Sequence, residues 1–488
     1  MLHNAKSSYT PCSTFLVVIS LEKKVIIAVL ILAIILIGAI LFFVQPFKPA
    51  EEGIVLKIIT RHGADIQDIT EQNFLKSEVA KKYKIKDIVW LPVGAGLWID
   101  TIKRSGDVDV GWGGGPVLFD ILLENQLLAP LEGYDELEAV IAELPDDISG
   151  VPMKRKGEDG KVYWVAAAIA SFGFTINKNF LNERNLPEPD EWLDLGSPAY
   201  AVTLPSPSVA VADATKSTSN TRMYEIILQK YGWVEGWKLI TRIAANSRIY
   251  DQSGLVREAV VRGDVGVGIT IDFYGYTSQL EAPGIAKYVL PKDGTLVNGD
   301  PIALLVTAKH PEAAKAFIAW ILSPEGQKVW LHPSINRLPI NIKVFDTPEG
   351  QERLDLKENY EKTLVASTIE FSDELALSYE YSLMWFFHAT NVRAEQALKE
   401  AWMALTKKYL NGEISEEEFN RLVDELTNPL KLVFKDPDTG EEVTFTQEYA
   451  QKVNEKIMKD PAYRDSLVRA WREGAENRYR KVLEELGG

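Results

Sequence analysis

The fold is decided by a stretch in which a short apolar strand runs into three glycines and a helix start, Asp109-Val110-Gly111-Trp112-Gly113-Gly114-Gly115-Pro116. The residues after it, Val117–Asn125, have the apolar spacing of a helix. Glycine permits positive φ and a close approach of the main chain to a ligand, and Pro116 suits a first helical turn, whose N–H groups attract anions. We therefore expect Trp112, Gly113, Gly114 and Gly115 to hold an anion. The alternative is a tight strand–helix turn without a ligand.

Strands and helices alternate on both sides of this stretch. Apolar strands are predicted at Ile54–Ile59, Asp87–Leu91 and Val108–Val110, with helices at Asp68–Tyr83 and Leu97–Arg104 between them. This order is typical of parallel βαβ units.

A second α/β block follows from about residue 175 to residue 285, with predicted strands at Ala201–Leu204 and Val265–Ile271. Strand-like passages near 165–173 and 288–300 would connect the two blocks. The predicted fold class is α/β, with two doubly wound lobes and a two-segment hinge. The predicted boundaries are an N-terminal segment 1–24, an anchor or signal 25–44, a linker 45–53, lobe 1 at 54–165 and 295–345, lobe 2 at 166–294, and a mainly helical C-terminal extension 346–488.

The apolar run Val25–Val44 is long enough to cross a membrane, because twenty residues at about 1.5 Å each span roughly 30 Å. Lys23 and Lys24 precede the run and only Lys48 lies close behind it, which favours an outward-facing body. We expect a single-pass anchor in the cell membrane rather than a cleaved secretory signal, which stays the alternative. We also expect translation to start near Leu21.

Composition limits the classes of function. The net charge of −16 argues against nucleic acid as a partner, since nucleic-acid binding requires a basic surface. The only cysteine, Cys12, lies before the apolar run, so the body has no disulfide and no thiolate metal site.

Two polar groups follow predicted strands at the edge where open α/β sheets bind ligands. Arg61 and His62 end the first strand, where the guanidinium could pair with a carboxylate or phosphate and the imidazole could donate to an anion or ligate a metal. Ser217, Thr218, Ser219 and Asn220 precede a predicted helix and could form an anion cradle. The simpler interpretations are surface or core side chains at the first strand and ordinary helix capping at the second group.

A third group leaves the strand that ends at Ile271. Asp272 and Tyr274 are predicted to contact the ligand, and Tyr276 lies two residues further on. Phenolate, carboxylate and imidazole suit ferric iron, so His62, Asp272, Tyr274 and Tyr276 are the alternative iron ligands. The simpler interpretation is that a tyrosine only covers the core.

No motif predicts a catalytic residue or a cofactor. The chain has no His-Glu-x-x-His, no Gly-x-Ser-x-Gly and no Walker Gly-Lys-Ser/Thr, and its five histidines are scattered. We therefore predict no enzyme, and any ATPase must be a separate subunit.

Six stretches together resemble the family-1 extracellular solute-binding proteins of ABC importers, which include ferric-iron, phosphonate, sugar-phosphate, thiamine and polyamine binders. The stretches that carry this resemblance are Asp109–Phe119, Ser171–Lys178, Pro189–Leu195, Tyr231–Trp237, Ile271–Tyr274 and Ala316–Gln327. The likeness extends over about 54–345, and it implies a periplasmic-binding-protein-like fold in which two lobes close on a solute and deliver it to a permease with its ATPase subunits.

Two features depart from that family. Ferric binders typically carry adjacent tyrosines, whereas Gly275 separates Tyr274 from Tyr276. The helical region beyond residue 350 is longer than the family requires. We expect a small anionic ligand. The alternatives are a ferric-iron-binding protein, a sensor or surface interaction protein that uses the C-terminal helices, and a secreted enzyme.

Overall fold

The structure is a computed structural model that describes residues 53–487. Its strands in chain order are β1 Ile54–Thr60, β2 Ile85–Pro92, β3 Val110–Trp112, β4 Leu128–Ala129, β5 Asp147–Ile148, β6 Val151–Pro152, β7 Lys154–Lys156, β8 Val162–Asn177, β9 Val209–Ala212, β10 Ser247–Tyr250, β11 Val267–Ile271, β12 Ala286–Val289, β13 Val297–Leu305, β14 Leu338–Pro339, β15 Val433–Lys435 and β16 Glu442–Thr444.

Helices separate most of these strands. Up to residue 331 they are Ala64–Phe74, Glu78–Lys82, Trp98–Ser105, Pro116–Glu124, Asp135–Glu143, Lys178–Glu183, Trp192–Leu195, Thr218–Tyr231, Trp233–Ala245, Ser253–Arg262, Asp272–Glu281, Pro311–Leu322 and Pro324–Leu331. Beyond it they are Pro348–Gln351, Leu354–Leu364, Asp373–Phe387, Glu395–Leu410, Glu416–Thr427, Gln447–Lys459 and Pro461–Glu485.

The long strand β8 belongs to two half-sheets. Its first part pairs antiparallel with β13, from Val165 to Ser171, and β13 continues the first half-sheet in the order β13-β3-β1-β2. Its last part pairs antiparallel with β11, from Phe172 to Ile176, and the second half-sheet continues as β11-β9-β10. Within each half-sheet the neighbours β1, β2 and β3, or β9, β10 and β11, are parallel. The predicted alternation of strands and helices is therefore confirmed.

One predicted strand is wrong. Ala201–Leu204 forms the end of a 3₁₀ helix, Pro198–Thr203, and the residue after it. The strand of this region is β9, which lies further along the chain and consists of four buried residues. Pro198 fits the first turn of a helix, and the small apolar residues of β9 fit a strand covered on both faces. The predicted helix Asp68–Tyr83 is two helices, because Ser77 caps a new helix start by accepting from the N–H of Ala80.

The C-terminal extension packs against the second half-sheet from Asp373 onward, whereas its earlier helix Leu354–Leu364 joins the buried cluster of the first half-sheet. Trp237 from helix Trp233–Ala245 shares one buried cluster with Phe386, Phe445 and Trp471 of the extension. The Trp402 Nε1–H donates to Asn246 Oδ1 at 2.8 Å, and the Trp233 Nε1–H donates to the carbonyl of Phe445 at 2.9 Å. The chain from Ile54 onward is accordingly one compact unit.

The predicted membrane segment 25–44 and the segments beside it lie outside the described residues. Among residues 53–487, no helix has both the length and the apolar character needed to cross a bilayer.

Candidate functional site

The carboxyl ends of the parallel strands place the candidate residues at two edges. Arg61 and His62 follow β1, and the glycines follow β3, at one edge of the first half-sheet. The loop 213–217 follows β9, and Asp272 follows β11, at the corresponding edge of the second half-sheet. Such edges are where open α/β sheets bind ligands.

The three glycines form a turn, called the cradle here, in which a larger side chain at any of the three positions would be unfavourable. Gly113, Gly114 and Gly115 all have positive φ, at +79°, +114° and +86°. A Cβ on Gly113 would lie 2.7 Å from the His62 Nε2 atom, whereas a Cβ on Gly115 would meet nothing within 4 Å. No side chain caps the helix that begins at Pro116, so its first-turn N–H groups and partial positive charge are available to an anion.

Arg61 lies beside this cradle. Its side-chain stem borders the exposed Gly114, and its guanidinium Nη1 is 3.7 Å from where a Cβ of Gly94 would stand. The residue is exposed, and no carboxylate in the described chain pairs with it. An unpaired guanidinium beside an uncapped helix start is a suitable partner for a phosphate or carboxylate.

His62, a predicted ligand contact, is buried beneath Gly113 in this conformation. Its ring packs edge-on against Trp112 at 4.5 Å. Its pKa is lowered to about 4, chiefly by burial, with Asp300 opposing the shift and Arg337 adding to it. The imidazole is therefore neutral at neutral pH, and its position below Gly113 supports the turn.

Sequence reasoning missed Asp300 and Arg337, which form an ion pair at the bulge in β13. The Arg337 Nη1 lies 2.6 Å from Asp300 Oδ2, and Asp300 Oδ1 accepts from the N–H of Gly114 at 3.0 Å. Burial raises the pKa of Asp300, but Arg337, His62 and the N–H of Gly114 outweigh it and hold that pKa below its usual range. This ionised carboxylate fixes the glycine turn from behind.

Arg337 also connects the two half-sheets. Its guanidinium lies 5.7 Å from the ring of Phe273, which follows β11, and 5.5 Å from the ring of Trp330. No motif marks Arg337 in the sequence. The only available signal is a cation directly before the buried pair Leu338-Pro339.

The side chain of Trp112, predicted to contact the ligand, is fully buried in this conformation. It packs against Trp330, Phe317 and Trp90. Strand side chains alternate between faces, and Trp112 shares the core face with Val110.

The predicted Ser217–Asn220 cradle divides into buried and accessible residues. Ser217 caps its helix by accepting from the N–H of Asn220, and Asn220 Oδ1 accepts from the N–H of Ala212 at 2.8 Å. These two side chains are buried in this conformation, and their contact with a ligand stays a prediction. Thr218 is exposed and Ser219 is partly exposed, so these hydroxyls can face a solute.

Asp272 ties two strands together and does not face the edge. Its Oδ2 accepts from the N–H of Ser171 at 2.7 Å and its Oδ1 from the N–H of Phe273 at 2.7 Å. Burial raises its pKa to about 7 against the opposing effect of Arg337. The side chain is fully buried in this conformation, and its contact with a ligand stays a prediction.

The two tyrosines point to different surroundings. Tyr276 is buried against Tyr288, with ring centres 5.3 Å apart. Tyr274 is partly exposed and approaches Gly254. Because helix positions two apart lie on different faces, the predicted iron ligands do not converge. Within residues 53–487, no three His, Cys, Asp or Glu side chains form a group able to hold a metal ion.

Comparison with known proteins identifies relatives of this chain. Residues 109–363, just over half of its length, match the model of a family described as bacterial extracellular solute-binding protein. The chain is 28% identical over 367 residues to the phosphoglycerate transport regulatory protein PgtC of Salmonella typhimurium, which covers 74% of this chain and 82% of that protein.

Two solved structures share the fold. One is from Bordetella parapertussis, described as an extracellular solute-binding protein, with a TM-score of 0.51 and 15% identity over 68% of this chain and 97% of the other. The second is the spermidine/putrescine ABC transporter substrate-binding protein PotD of Streptococcus pneumoniae, with a TM-score of 0.50 and 15% identity over 68% of this chain and 98% of the other. The fold is therefore the α/β fold of periplasmic binding proteins.

Proposed function

The chain belongs to the family of bacterial extracellular solute-binding proteins, and we propose that it captures a small anionic solute and delivers it to the permease of an ABC importer. The observation that carries the anionic ligand is the cradle Gly113–Gly115 with its uncapped helix start beside the unpaired Arg61. Backbone N–H groups at a helix start and a free guanidinium both bind oxyanions.

The second half-sheet supplies the opposite side of the proposed site. Thr218, Ser219 and Tyr274 offer hydroxyl groups at the carboxyl edge of that half-sheet. Closure would bend β8, which belongs to both half-sheets, and the segment 290–296, which joins β12 to β13, and it would gain ligand contacts on both sides. The hinge would separate a lobe at 54–165 and 295–345 from a lobe at 166–294. Helix Leu354–Leu364 of the extension shares the buried cluster of the first half-sheet, whereas the part from Asp373 onward packs on the second lobe.

The name of the Salmonella relative narrows the class of ligand. A phosphoglycerate carries one phosphate and one carboxylate, and the cradle and Arg61 provide one partner for each kind of oxyanion. A three-carbon phosphorylated acid is therefore the ligand that we propose to test first. Ferric iron has less support, because Tyr276 is buried in the core.

The N-terminal run 25–44 completes the proposal. A single span there would tether the solute-binding body at the outer face of the membrane, close to the permease.

A ligand panel tests the function directly. We would measure thermal stabilisation of the full chain by 3-phosphoglycerate, phosphoenolpyruvate, inorganic phosphate, citrate, ferric citrate and spermidine. We expect the phosphorylated acids to raise the melting temperature most, because a ligand that binds only the folded state stabilises it. Stabilisation by spermidine alone, or by none of the anions, would contradict the proposal.

Arg61→Gln tests the residue at the centre of the site. Loss of one charge-assisted hydrogen bond to the anion should weaken binding about tenfold or more by calorimetry. The control is Arg104→Gln, which removes an exposed guanidinium from helix Trp98–Ser105. Equal affinities of both variants would show that Arg61 does not contact the ligand.

A further inference from the structure

A cavity of about 530 Å³ lies between the loop 213–217 and the C-terminal extension. Its wall carries four cationic side chains, from Lys216, Arg393, Arg469 and Arg472, and one carboxylate, from Asp465. The whole chain has a net charge of −16, so this concentration of positive charge is local. Four cations and one carboxylate around one cavity give it a positive potential that attracts an anion.

Most of these cations lack a carboxylate partner. Asp465 pairs with Arg464 outside the cavity wall, and Arg472 pairs with Glu476 at 2.7 Å. In the described part of the chain, no carboxylate pairs with Lys216, Arg393 or Arg469. The cavity therefore presents three cationic side chains that form no salt bridge within residues 53–487, and Asp465 is the one carboxylate on its wall.

Arg393 is held in place by a chain of hydrogen bonds that begins at Asp213, after strand β9. His388 Nδ1 lies 2.7 Å from Asp213 Oδ2, and the Arg393 Nε–H donates to His388 Nε2 at 3.2 Å. A carboxylate oxygen only accepts, so Nδ1 carries the proton and Nε2 is free to accept from Arg393. The terminal NH₂ groups of the guanidinium remain available to an oxyanion.

The helix geometry at this point brings the two side chains together. Residues His388–Val392 form one turn of π-helix, and the N–H of Arg393 donates to the carbonyl of His388 at 2.9 Å. Five-residue spacing of this kind stacks Arg393 over His388, and π turns are frequent at functional sites. Trp385 adds an aromatic wall to the same cavity.

We propose that this cavity is a second ligand site, which binds a small soluble compound carrying a phosphate group. Arg393, Arg469 and Lys216 would contact the phosphate oxygens, and Trp385 would contact the apolar part of the compound. The site is built jointly by the second half-sheet and the extension, so occupancy would hold the extension against the loop 213–217. It is separate from the cradle at Gly113–Gly115 and independent of the ligand proposed for that cradle.

Pyrophosphate is the probe for this site. We would measure its binding to the full chain by calorimetry, and we expect Arg393→Gln/Arg469→Gln to weaken it at least about tenfold. The matched control is Lys407→Gln/Lys481→Gln. It removes one exposed charge from helix Glu395–Leu410, which follows Arg393, and one from helix Pro461–Glu485, which contains Arg469. It should change the affinity less than about twofold. Equal affinities of both double variants would overturn the proposal.

Two further measurements keep the test decisive. In the unmodified chain, pyrophosphate should protect Arg393 and Arg469 from phenylglyoxal, as read by mass spectrometry, and absence of protection would overturn the proposal even if the double variant fails to fold. The Arg61→Gln variant should keep the pocket-dependent binding of pyrophosphate. If no anion of the ligand panel binds in an Arg61-dependent way, but pyrophosphate still binds in a way that depends on Arg393 and Arg469, the proposed function is wrong and this inference stands.

Discussion

At Gly113 two separate physical constraints exclude a side chain. The backbone φ is +79°, and the His62 ring lies where a Cβ would stand. We expect Gly113→Ala to lower the free energy of unfolding by about 2–4 kcal/mol, from left-handed strain and from overpacking. Urea unfolding followed by tryptophan fluorescence measures the loss.

Gly115→Ala is the matched control for this prediction. Its φ is +86°, but the added Cβ would meet no atom within 4 Å. Only the backbone strain remains, which at φ +86° and ψ +161° costs about 1–3 kcal/mol, without the overpacking expected at Gly113. Equal losses at the two positions would mean that the His62 ring moves aside freely and does not support the turn.

Single residues show where sequence reasoning succeeds and where it stops. The glycine turn could be predicted because three glycines after a strand have a local conformational reason. The burial of Trp112 and His62 could not, since it depends on Trp330 and Phe317 from far along the chain. Asp300 and Arg337 were missed for the same reason: each is an ordinary charged residue until the fold brings it to Gly114.

At the scale of elements, the contact between helix Thr218–Tyr231 and helix Asp373–Phe387 contains a buried charge cluster. Burial raises the pKa of Glu225 to about 8, although Arg222 opposes the shift. The same Arg222 pairs with Glu225 at 3.2 Å and with Asp373 of the extension at 2.7 Å. Ionising Glu225 in this buried contact therefore lowers the free energy of unfolding, by an amount that depends on pH.

The sign of that dependence follows from the pKa values. The unfolded chain ionises this carboxyl near its ordinary value of 4.5, while the folded chain stays protonated up to about pH 8. Its stabilising contribution is complete below pH 4.5 and is lost as the pH rises to 8. Relative to Glu225→Gln, the unmodified chain should lose about 2–4 kcal/mol between pH 5 and pH 8.5 in urea unfolding.

Glu374→Gln is the control for the pH series. Glu374 is exposed on the facing helix Asp373–Phe387, so its replacement should leave the pH dependence of the unmodified chain unchanged. Parallel stability curves for the unmodified chain and Glu225→Gln would show that Glu225 ionises normally in the folded state.

The elements themselves were largely predictable. Helix Trp98–Ser105, predicted at Leu97–Arg104, and helix Pro116–Glu124, predicted at Val117–Asn125, lie within one residue of their predicted bounds. Strand β9 could not be predicted, because four small apolar residues inside a loop rich in Ser and Pro give no periodic signal of their own. Its pairing with β10 and β11 makes it a strand.

At the scale of the whole molecule, the extension belongs to the body of the protein. The order of strands and helices predicted the two-part α/β fold, because parallel strands need crossover helices. It did not predict that helices beyond residue 350 would share a core with helix Trp233–Ala245, whose residues lie more than a hundred positions earlier. Amphipathic spacing shows that a helix face is buried, and it does not identify the partner.

Phe386 tests whether this shared core makes one cooperative unit. Its ring stacks on Phe445 with centres 3.6 Å apart and packs edge-on against Trp237 at 4.9 Å and Trp471 at 5.3 Å. We expect Phe386→Ala to cost about 3–5 kcal/mol, because it removes a buried ring and leaves a cavity. Hydrogen exchange should then quicken in helix Trp233–Ala245 of the second half-sheet as well as in 373–485. Faster exchange confined to 373–485 would show that the extension unfolds separately and that its cavity with the loop 213–217 is not a permanent feature of the fold. The exposed control is Leu410→Ala, and the same change in that variant would show that loss of the buried Phe386 ring is not the cause.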